Sequence, residues 1–309
     1  MKTVHKPLVV LLMGPTAAGK TAFSLELADA LRSEIISVDS ALVYREMDIG
    51  TAKPSLSERS GVPHHLIDII DPSESYSTGQ FRDQAIPLID NLIAKNKIPI
   101  LTGGTMLYFN ALTEGLAQLP PANTDIRAAL EQQMQTEGKQ AMHEQLQLID
   151  PVSAARIHMN DPQRIQRALE VFQMTGRPLS SFFNQLHESP YRFLKIILSP
   201  ADRSVLHKRI EDRFHAMLDH GLIEEVIHLR ERGDLDLSMP AMRCVGYRQV
   251  WQYLEGETKF PEMLEQSVAA SRQLAKRQLT WLRKTDDAIC FDSAENKLPV
   301  VLKSIQALV

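Results

Sequence analysis

The strongest constraint on the fold lies near the amino terminus, where the apolar run LVVLLM leads directly into GPTAAGKT, Gly14–Thr21. A continuous apolar run predicts a strand that is buried on both faces of a sheet. The spacing G-x-x-x-x-G-K-T predicts a loop whose amides bind phosphate, followed by a helix that starts at Lys20. A strand, loop and helix of this kind belong to an α/β protein with a parallel sheet.

The loop residues have different expected roles. Lys20 brings a positive charge to the phosphates, and the Thr21 hydroxyl suits Mg²⁺, which prefers oxygen ligands. The sequence therefore predicts Mg²⁺ as the cofactor and Thr21 as its protein ligand. The predicted phosphate-binding residues are Gly14, Pro15, Thr16, Ala17, Ala18, Gly19, Lys20 and Thr21. The loop alone does not identify the reaction, because ATP-binding proteins of many kinds use it.

Further apolar runs alternate with helical patterns along the first 120 residues and return after residue 188. This alternation predicts a parallel sheet with right-handed crossovers. The predicted strands are LVVLLM, EIISVDS, HHLIDII, IPILTGGT, YRFLKIILSP and AICFD.

The stretch after LPPANTD has no run that resembles a strand. One predicted helix there begins at NTDIRAAL and stops at Gly138. A second has Asp161 as its cap, Pro162 in its first turn and Gly176 as its stop. The sequence thus predicts a P-loop α/β core, residues 1–120 and 188–309, that is interrupted by an all-helical insertion, residues 121–187.

Composition and charge exclude several classes of protein. The formal net charge is −4 over 309 residues, which excludes a strongly basic nucleic-acid-binding protein but not a local basic face. The only cysteines, Cys244 and Cys290, form no Cys-x-x-Cys pair, so a zinc finger is not expected. The apolar run before the loop is too short for a secretory leader, and no run is long enough to span a membrane. We therefore expect a cytoplasmic protein without membrane contact.

Asp39 follows the second predicted strand and is expected at the sheet edge where ligands bind. Three roles fit it at this point. Its carboxylate can associate with a metal, act as a general base on a substrate, or cap the following turn.

Seven segments together resemble one family, the tRNA dimethylallyltransferases, also called tRNA isopentenyltransferases (IPP transferases). They are GPTAAGKT, DSALVYREMDIGTAKP, PHHLID, GGTMLY, NDPQRIQRALEV, RCVGYRQ and RQLAKRQLTWLR, in the order of the family. The resemblance implies transfer of a dimethylallyl group from dimethylallyl diphosphate to N6 of adenosine 37. It also implies tRNAs that read codons beginning with U, and a helical insertion that grips the anticodon stem.

Site residues follow from the same resemblance. Asp39 is our choice for the general base, with Lys20, Thr21 and Arg213 as the other catalytic residues. Arg209 and Arg213 are four apart on one predicted helix and can face the same anion, although pairing with Glu211 or Asp212 fits the spacing equally well. The predicted tRNA-binding residues are Asp39, Ser40, Ala41, Leu42, Thr105, Arg127, Gln163, Arg164, Arg167, Arg243, Arg248, Lys276, Arg277 and Arg283.

The segment from Gln266 to Thr285 has five basic residues and no acidic ones. Arg272, Lys276 and Arg283 fall on one helical face, which predicts a stripe that follows RNA phosphates. A solvated helix face is the alternative. For Tyr247 and Trp281 core packing is preferred to base stacking.

Two other functions share parts of this pattern. A nucleotide or small-molecule kinase uses the same loop on ATP, and a P-loop GTPase switch or an RNA-binding module is a third class. No N-K-x-D guanine motif occurs, and a pure binding module does not need Lys20, Thr21 and Asp39 together.

Two departures from the family pattern, Ala18 for serine and Leu42 for glutamine, each remove one polar group. We expect the chain to act as a monomer.

Overall fold

The computed structural model describes residues 6–117, 119–185 and 189–309. These residues form a six-stranded sheet in the order β3-β2-β4-β1-β5-β6, with every neighbouring pair parallel. The predicted fold class is confirmed. The strands are β1 (Leu8–Met13), β2 (Ile35–Val38), β3 (His64–His65), β4 (Ile100–Gly103), β5 (Arg192–Leu198) and β6 (Ala288–Phe291).

The apolar run before the phosphate loop forms β1, and all six of its residues are buried. It pairs with β4 on one side and with β5 on the other, so it lies in the interior of the sheet. Val9, Leu11 and Met13 belong to one hydrophobic cluster and Val10 and Leu12 to another. Alternate side chains therefore fill both faces, as expected for a covered parallel strand.

Helices occupy most of the remaining described chain. They are α1 (Lys20–Leu31), α2 (Thr78–Ala94), α3 (Met106–Thr113), α4 (Thr124–Ile149), α5 (Pro151–Ala154), α6 (Pro162–Thr175), α7 (Arg203–Asp219), α8 (Leu222–Glu231), α9 (Tyr247–Leu254), α10 (Phe260–Leu282) and α11 (Leu298–Gln306). A 3-10 helix spans Leu179–Gln185. None of the helices in the described residues is long and apolar enough to cross a membrane.

One of two local predictions was wrong in extent. The expected strand HHLIDII is reduced to β3, because Leu66 and Asp68 have left-handed backbone angles, φ 61° and 58°, which end the extended conformation. The predicted helix end at Gly138 is confirmed. Gly138 has a non-helical backbone, φ 84° and ψ 163°, so α4 is two helical segments joined at a kink, the second of which ends at Ile149.

The described residues form two compact units. One contains the chain up to Thr113 and from Ser189 onward, and the other begins at Glu114. The sequence interpretation began the insertion seven residues later, at residue 121. Ala117 and Leu119 pack against the core of the helical unit, which explains the earlier boundary. Parts of both predicted units lie outside the described residues, namely residues 1–5, 118 and 188 of the core and residues 186 and 187 of the insertion.

Candidate active site

A cavity of about 500 Å³ opens at the carboxyl ends of β2 and β4. The phosphate loop contributes Thr16, Lys20 and Thr21 to its lining, and the segment after β2 contributes residues 39–42. Thr105, residues 50–52 and 54, α7, the segment that contains Arg243 and Cys244, and α10 also contribute to the wall. Parallel sheets commonly bind ligands at this edge.

The loop is built for an anion. Ala17 and Gly19 have left-handed backbone angles, φ 61° and 84°, a geometry that turns successive amides toward one side. The Lys20 ammonium donates to the carbonyl oxygens of Gly14 (3.0 Å) and Pro15 (2.7 Å). Burial lowers the pKa of Lys20 to about 8, and the nearby Asp39 carboxylate opposes this effect. A charge in this desolvated position interacts strongly with a bound phosphate.

Two arginines on α7 reach the same region, which is one of the two arrangements that the spacing allowed. Arg209 and Arg213 line a second cavity of about 330 Å³ together with loop residues 17–21. Arg213 also lines the main cavity, and its Nη2 donates to the Thr51 carbonyl oxygen at 3.2 Å. Arg209 instead donates to the Ser293 hydroxyl at 2.8 Å. Both cations therefore line this second cavity beside the phosphate loop, the candidate anion site, and Arg213 alone of the pair also lines the main cavity.

Asp39 lies directly after β2 and lines the main cavity. Its Oδ1 accepts the amide of Ala41 at 2.9 Å, so the carboxylate caps its own turn. The Thr105 hydroxyl accepts the amide of Ser40 at 3.0 Å and joins this turn to the start of α3. The predicted adenosine-contact residues Asp39, Ser40, Ala41, Leu42 and Thr105 are all brought together at the cavity wall.

Cys244 also lines the cavity, and burial together with the Asp39 carboxylate raises the pKa of its thiol to about 12. The thiol is therefore protonated near neutral pH and is a poor nucleophile.

Gln278 on α10 was not assigned a role by the sequence analysis, although it lies in RQLTWLR. Its amide oxygen accepts the Thr16 amide at 2.9 Å, and its amide nitrogen donates to the Gly104 carbonyl oxygen at 2.9 Å. A Cβ atom at position 104 would lie 2.3 Å from that nitrogen, which explains the glycine. Gln278 thus fixes the loop to the end of β4, a contact over 262 residues that local spacing does not reveal.

Glu225 on α8 organises the turn in DIGTAKP. Its carboxylate accepts the amides of Asp48 (2.9 Å), Ile49 (2.8 Å) and Gly50 (3.1 Å), and it also accepts the Tyr247 hydroxyl at 2.5 Å. Gly50 packs against the Tyr247 ring, where a Cβ atom would approach to 2.5 Å. The same turn presents the Thr51 carbonyl oxygen to Arg213.

Comparison with known proteins identifies the family. A profile described as IPP transferase matches residues 42–285, most of the chain. The chain belongs to the IPP transferase family. Proteins named tRNA dimethylallyltransferase from Methylococcus capsulatus and Nitrosococcus oceani are 55% and 56% identical, with 93% and 94% of this chain and 93% of each relative covered.

Solved structures agree with this assignment. The full-length tRNA isopentenylpyrophosphate transferase from Bacillus halodurans is 40% identical, with a TM-score of 0.73 and coverage of 98% of this chain and 96% of that one. A eukaryotic dimethylallyltransferase described as acting on tRNA is 27% identical, with a TM-score of 0.82 and coverage of 98% and 78%. The family resemblance seen in the sequence is confirmed.

In this IPP transferase the three residues of the predicted basic stripe on α10 differ in their surroundings, and their contact with RNA phosphates stays a prediction. Arg272 forms an ion pair with Glu211 of α7 at 3.0 Å, because that side of α10 packs against α7. Lys276 and Arg283 are exposed. Arg277, which was not part of the stripe, lines the cavity.

The predicted tRNA-binding residues of the RCVGYR segment differ in position. Arg243 is exposed and lines the cavity, where its Nε donates to the Leu237 carbonyl oxygen at 3.3 Å. Arg248 is exposed on the first turn of α9. A contact of either arginine with RNA stays a prediction.

The two aromatic residues assigned to core packing differ as well. Tyr247 is fully buried, as predicted. Trp281 is 43% exposed, so its assignment to the core was wrong. The periodicity of α10 was sufficient to define a helix but did not separate its buried face from its exposed one.

The helical unit of the IPP transferase contains the other predicted RNA contacts. Glu170 is fully buried and accepts from Arg127 at 2.9 Å and from Arg167 at 2.6 Å. Both arginines therefore have a structural partner, and RNA binding by them stays a prediction. Gln163 and Arg164 are exposed in the first turn of α6. The Arg164 Nη1 atom lies 3.3 Å from the Oδ2 atom of Asp161.

The donor set fits magnesium only in part. Thr21 presents its hydroxyl at the start of α1, and Asp39 adds a carboxylate to the same cavity. Both are oxygen donors of the kind that Mg²⁺ prefers. No group of three or more His, Cys, Asp or Glu residues suited to a metal occurs in the described part of the chain. A metal here would therefore need phosphate oxygens from a bound substrate.

Proposed function

We propose that this protein transfers a dimethylallyl group from dimethylallyl diphosphate to N6 of adenosine 37, beside the anticodon of tRNAs that read codons beginning with U. The observation that carries the proposal is one cavity whose lining combines two chemically different sets of groups. Lys20 and Arg213 supply positive charge, and the Asp39 turn with Thr105 supplies polar groups suited to a base. The relatives named tRNA dimethylallyltransferase support it.

The groups around Asp39 activate the acceptor, N6 of adenosine, which is a weak nucleophile. The lone pair on N6 is delocalised into the adenine ring, so nitrogen attack requires loss of a proton as the new bond forms. The Asp39 carboxylate takes this proton while N6 bonds to the first carbon of the donor. Its turn is fixed by the Ala41 amide and by Thr105, so the base is held in place before the substrate arrives.

The positively charged groups of the site stabilise the leaving group. As the carbon–oxygen bond breaks, negative charge grows on the diphosphate, and the loop amides, Lys20 and Arg213 face that charge. Mg²⁺ held by Thr21 and the diphosphate oxygens would add further positive charge. Arg213 is partly buried, which lowers the pKa of its guanidinium while Asp39 raises it, and arginine remains cationic.

The acceptor base must leave its stack to enter the cavity. Extrusion of a base from a tRNA loop costs a few kcal/mol, less than in a duplex, because the base is unpaired. Leu42, Arg243 and Arg277 line the cavity and are proposed to contact the flipped adenosine and its neighbours. Phosphate contacts by the other exposed basic residues would position the stem with little sequence preference.

One assay tests the proposal. The protein is incubated with undermodified tRNA and labelled dimethylallyl diphosphate, with Mg²⁺ and without ATP. Label in the tRNA, and its loss when adenosine 37 is replaced by guanosine, is the expected result. ATP-dependent phosphorylation of a small acceptor without label in the tRNA would establish the kinase alternative instead. We also propose that the protein acts in the cytoplasm as a monomer.

Replacing Glu225 by glutamine is expected to lower kcat about tenfold with little change in the KM for tRNA. A glutamine oxygen cannot accept three amides and the Tyr247 hydroxyl together, so the turn that supports Arg213 loosens. Glu225→Ala should also lower the free energy of unfolding by about 2 kcal/mol, because the three backbone amides and the Tyr247 hydroxyl lose their acceptor. Steady-state kinetics and urea unfolding measure the two effects.

The matched control is Glu231→Gln, an exposed position at the other end of α8. It should leave both kcat and stability unchanged. Equal kcat values for Glu225→Gln and the unmodified enzyme would show that the turn does not depend on this carboxylate.

A further inference from the structure

Trp281 is exposed where the sequence pattern placed it in the core. Its side chain is 43% exposed, whereas the chain's other tryptophan, Trp251, is 8% exposed and lies under the Arg230 guanidinium, 5.4 Å from the ring centroid. Single exposed apolar side chains are common on protein surfaces. What sets Trp281 apart is therefore its position on α10 and the charge of its neighbours, not its exposure alone.

The position of Trp281 on α10 relates it to the active site. Leu274 and Arg277 line the cavity, and Trp281 comes seven and four residues after them, so it shares their helical face one turn further on. Trp281 therefore lies beyond the cavity lining, near the end of α10 at Leu282.

The surroundings carry positive charge. Arg277, Arg283 and Lys284 are exposed, and no acidic residue occurs between Gln266 and Thr285. Acidic residues reappear only at Asp286, in the turn that leads into β6. A flat aromatic side chain among cations, in a chain whose net charge is −4, is complementary to a stacked base with flanking phosphates.

We propose that the Trp281 indole stacks on an unpaired nucleobase of the tRNA substrate, a different base from the adenosine that enters the cavity. This inference rests on the proposed function and adds a contact to it. Proteins recognise RNA loops largely through bases that are splayed out and stacked on aromatic side chains. Base extrusion into the cavity requires that neighbouring bases lose a stacking partner, and the indole supplies a replacement.

The first test is affinity for an anticodon stem-loop RNA at fixed salt. Trp281→Ala should weaken binding about 5- to 100-fold, and Trp281→Phe should retain most of the affinity, because a smaller ring still stacks. The KM for tRNA should rise with Trp281→Ala while kcat and the KM for the donor stay the same. Phe260→Ala is the matched control, since Phe260 is 42% exposed at the other end of α10. It should bind RNA normally.

The second test is spectroscopic. Trp251→Phe leaves Trp281 as the single tryptophan, and its fluorescence should be quenched by the stem-loop but not by inorganic diphosphate. In the reciprocal variant, Trp281→Phe, the fluorescence of Trp251 should not respond to RNA.

The outcomes separate this inference from the proposed function. If Trp281→Ala binds RNA within twofold of the unmodified protein and prenyl transfer to tRNA proceeds, the stacking contact is wrong and the function stands. A lack of transfer by the unmodified protein would remove the proposed function itself. Should Trp251→Phe fail to fold, the affinity of Trp281→Ala alone decides the question.

Discussion

Replacing Asp39 by asparagine is expected to lower the rate of prenyl transfer about 10²- to 10⁴-fold, the range that a positioned general base contributes. Asparagine keeps the oxygen that accepts the Ala41 amide, so the turn at the cavity wall is preserved. It cannot take a proton from N6. The rate of a single turnover with saturating donor measures the chemical step directly.

Binding separates the base role from a binding role. Affinity of Asp39→Asn for tRNA should stay within about twofold, because one neutralised carboxylate does not weaken contacts to RNA phosphates. Asp219→Asn, an exposed position at the end of α7, serves as the control and should have full activity. Weak tRNA binding with unchanged single-turnover chemistry would contradict the assignment of Asp39 as the base.

Those parts of the structure that depend on local pattern were predictable from the sequence. The strand and the loop were defined by apolar continuity and glycine spacing. The four-residue separation of Arg209 and Arg213 allowed both to line the cavity beside the loop, as they do, but left pairing with Glu211 or Asp212 equally open. Asp39 was located by the rule that ligands bind at the carboxyl ends of parallel strands. These features need no knowledge of distant contacts.

Other parts depend on contacts between distant segments. Gln278 reaches the phosphate loop from a helix far along the chain, and Glu225 reaches the DIG turn over 176 residues at Ile49. A single glutamine or glutamate on a helix carries no signal of such a partner. Trp281 was misplaced for a related reason, because helical spacing does not say which neighbour covers each face of α10.

Glu225 and Gln278 support different parts of the same site. Gln278 holds the amide of Thr16 in the loop, and Glu225 holds the turn whose Thr51 carbonyl oxygen accepts from Arg213. The loop and Arg213 are therefore fixed by separate anchors before an anion binds. Preorganisation of this kind makes positive charge more effective on a leaving group, because little rearrangement is needed during the reaction.

Replacing Arg213 by alanine is accordingly expected to lower kcat about 10²- to 10³-fold, the effect of removing one preorganised donor from a developing negative charge. Its guanidinium faces both the loop and the main cavity. Arg213→Lys should recover only part of the loss, since a point charge lacks the two-pronged geometry of arginine. Inorganic diphosphate, measured as a competitive inhibitor of the donor, should bind more weakly to Arg213→Ala.

Arg209→Ala is the matched control on the same helix. Arg209 lines the anion site but is held by Ser293, and the residues that line the main cavity include Arg213 but not Arg209. Its replacement should therefore reduce kcat less than tenfold, a clearly smaller loss than that of Arg213→Ala. The contrary result is that Arg213→Ala keeps kcat and diphosphate inhibition within threefold of the unmodified enzyme. Arg213 would then serve only to hold the Thr51 turn, and Lys20 and the loop amides would stabilise the charge on the leaving group.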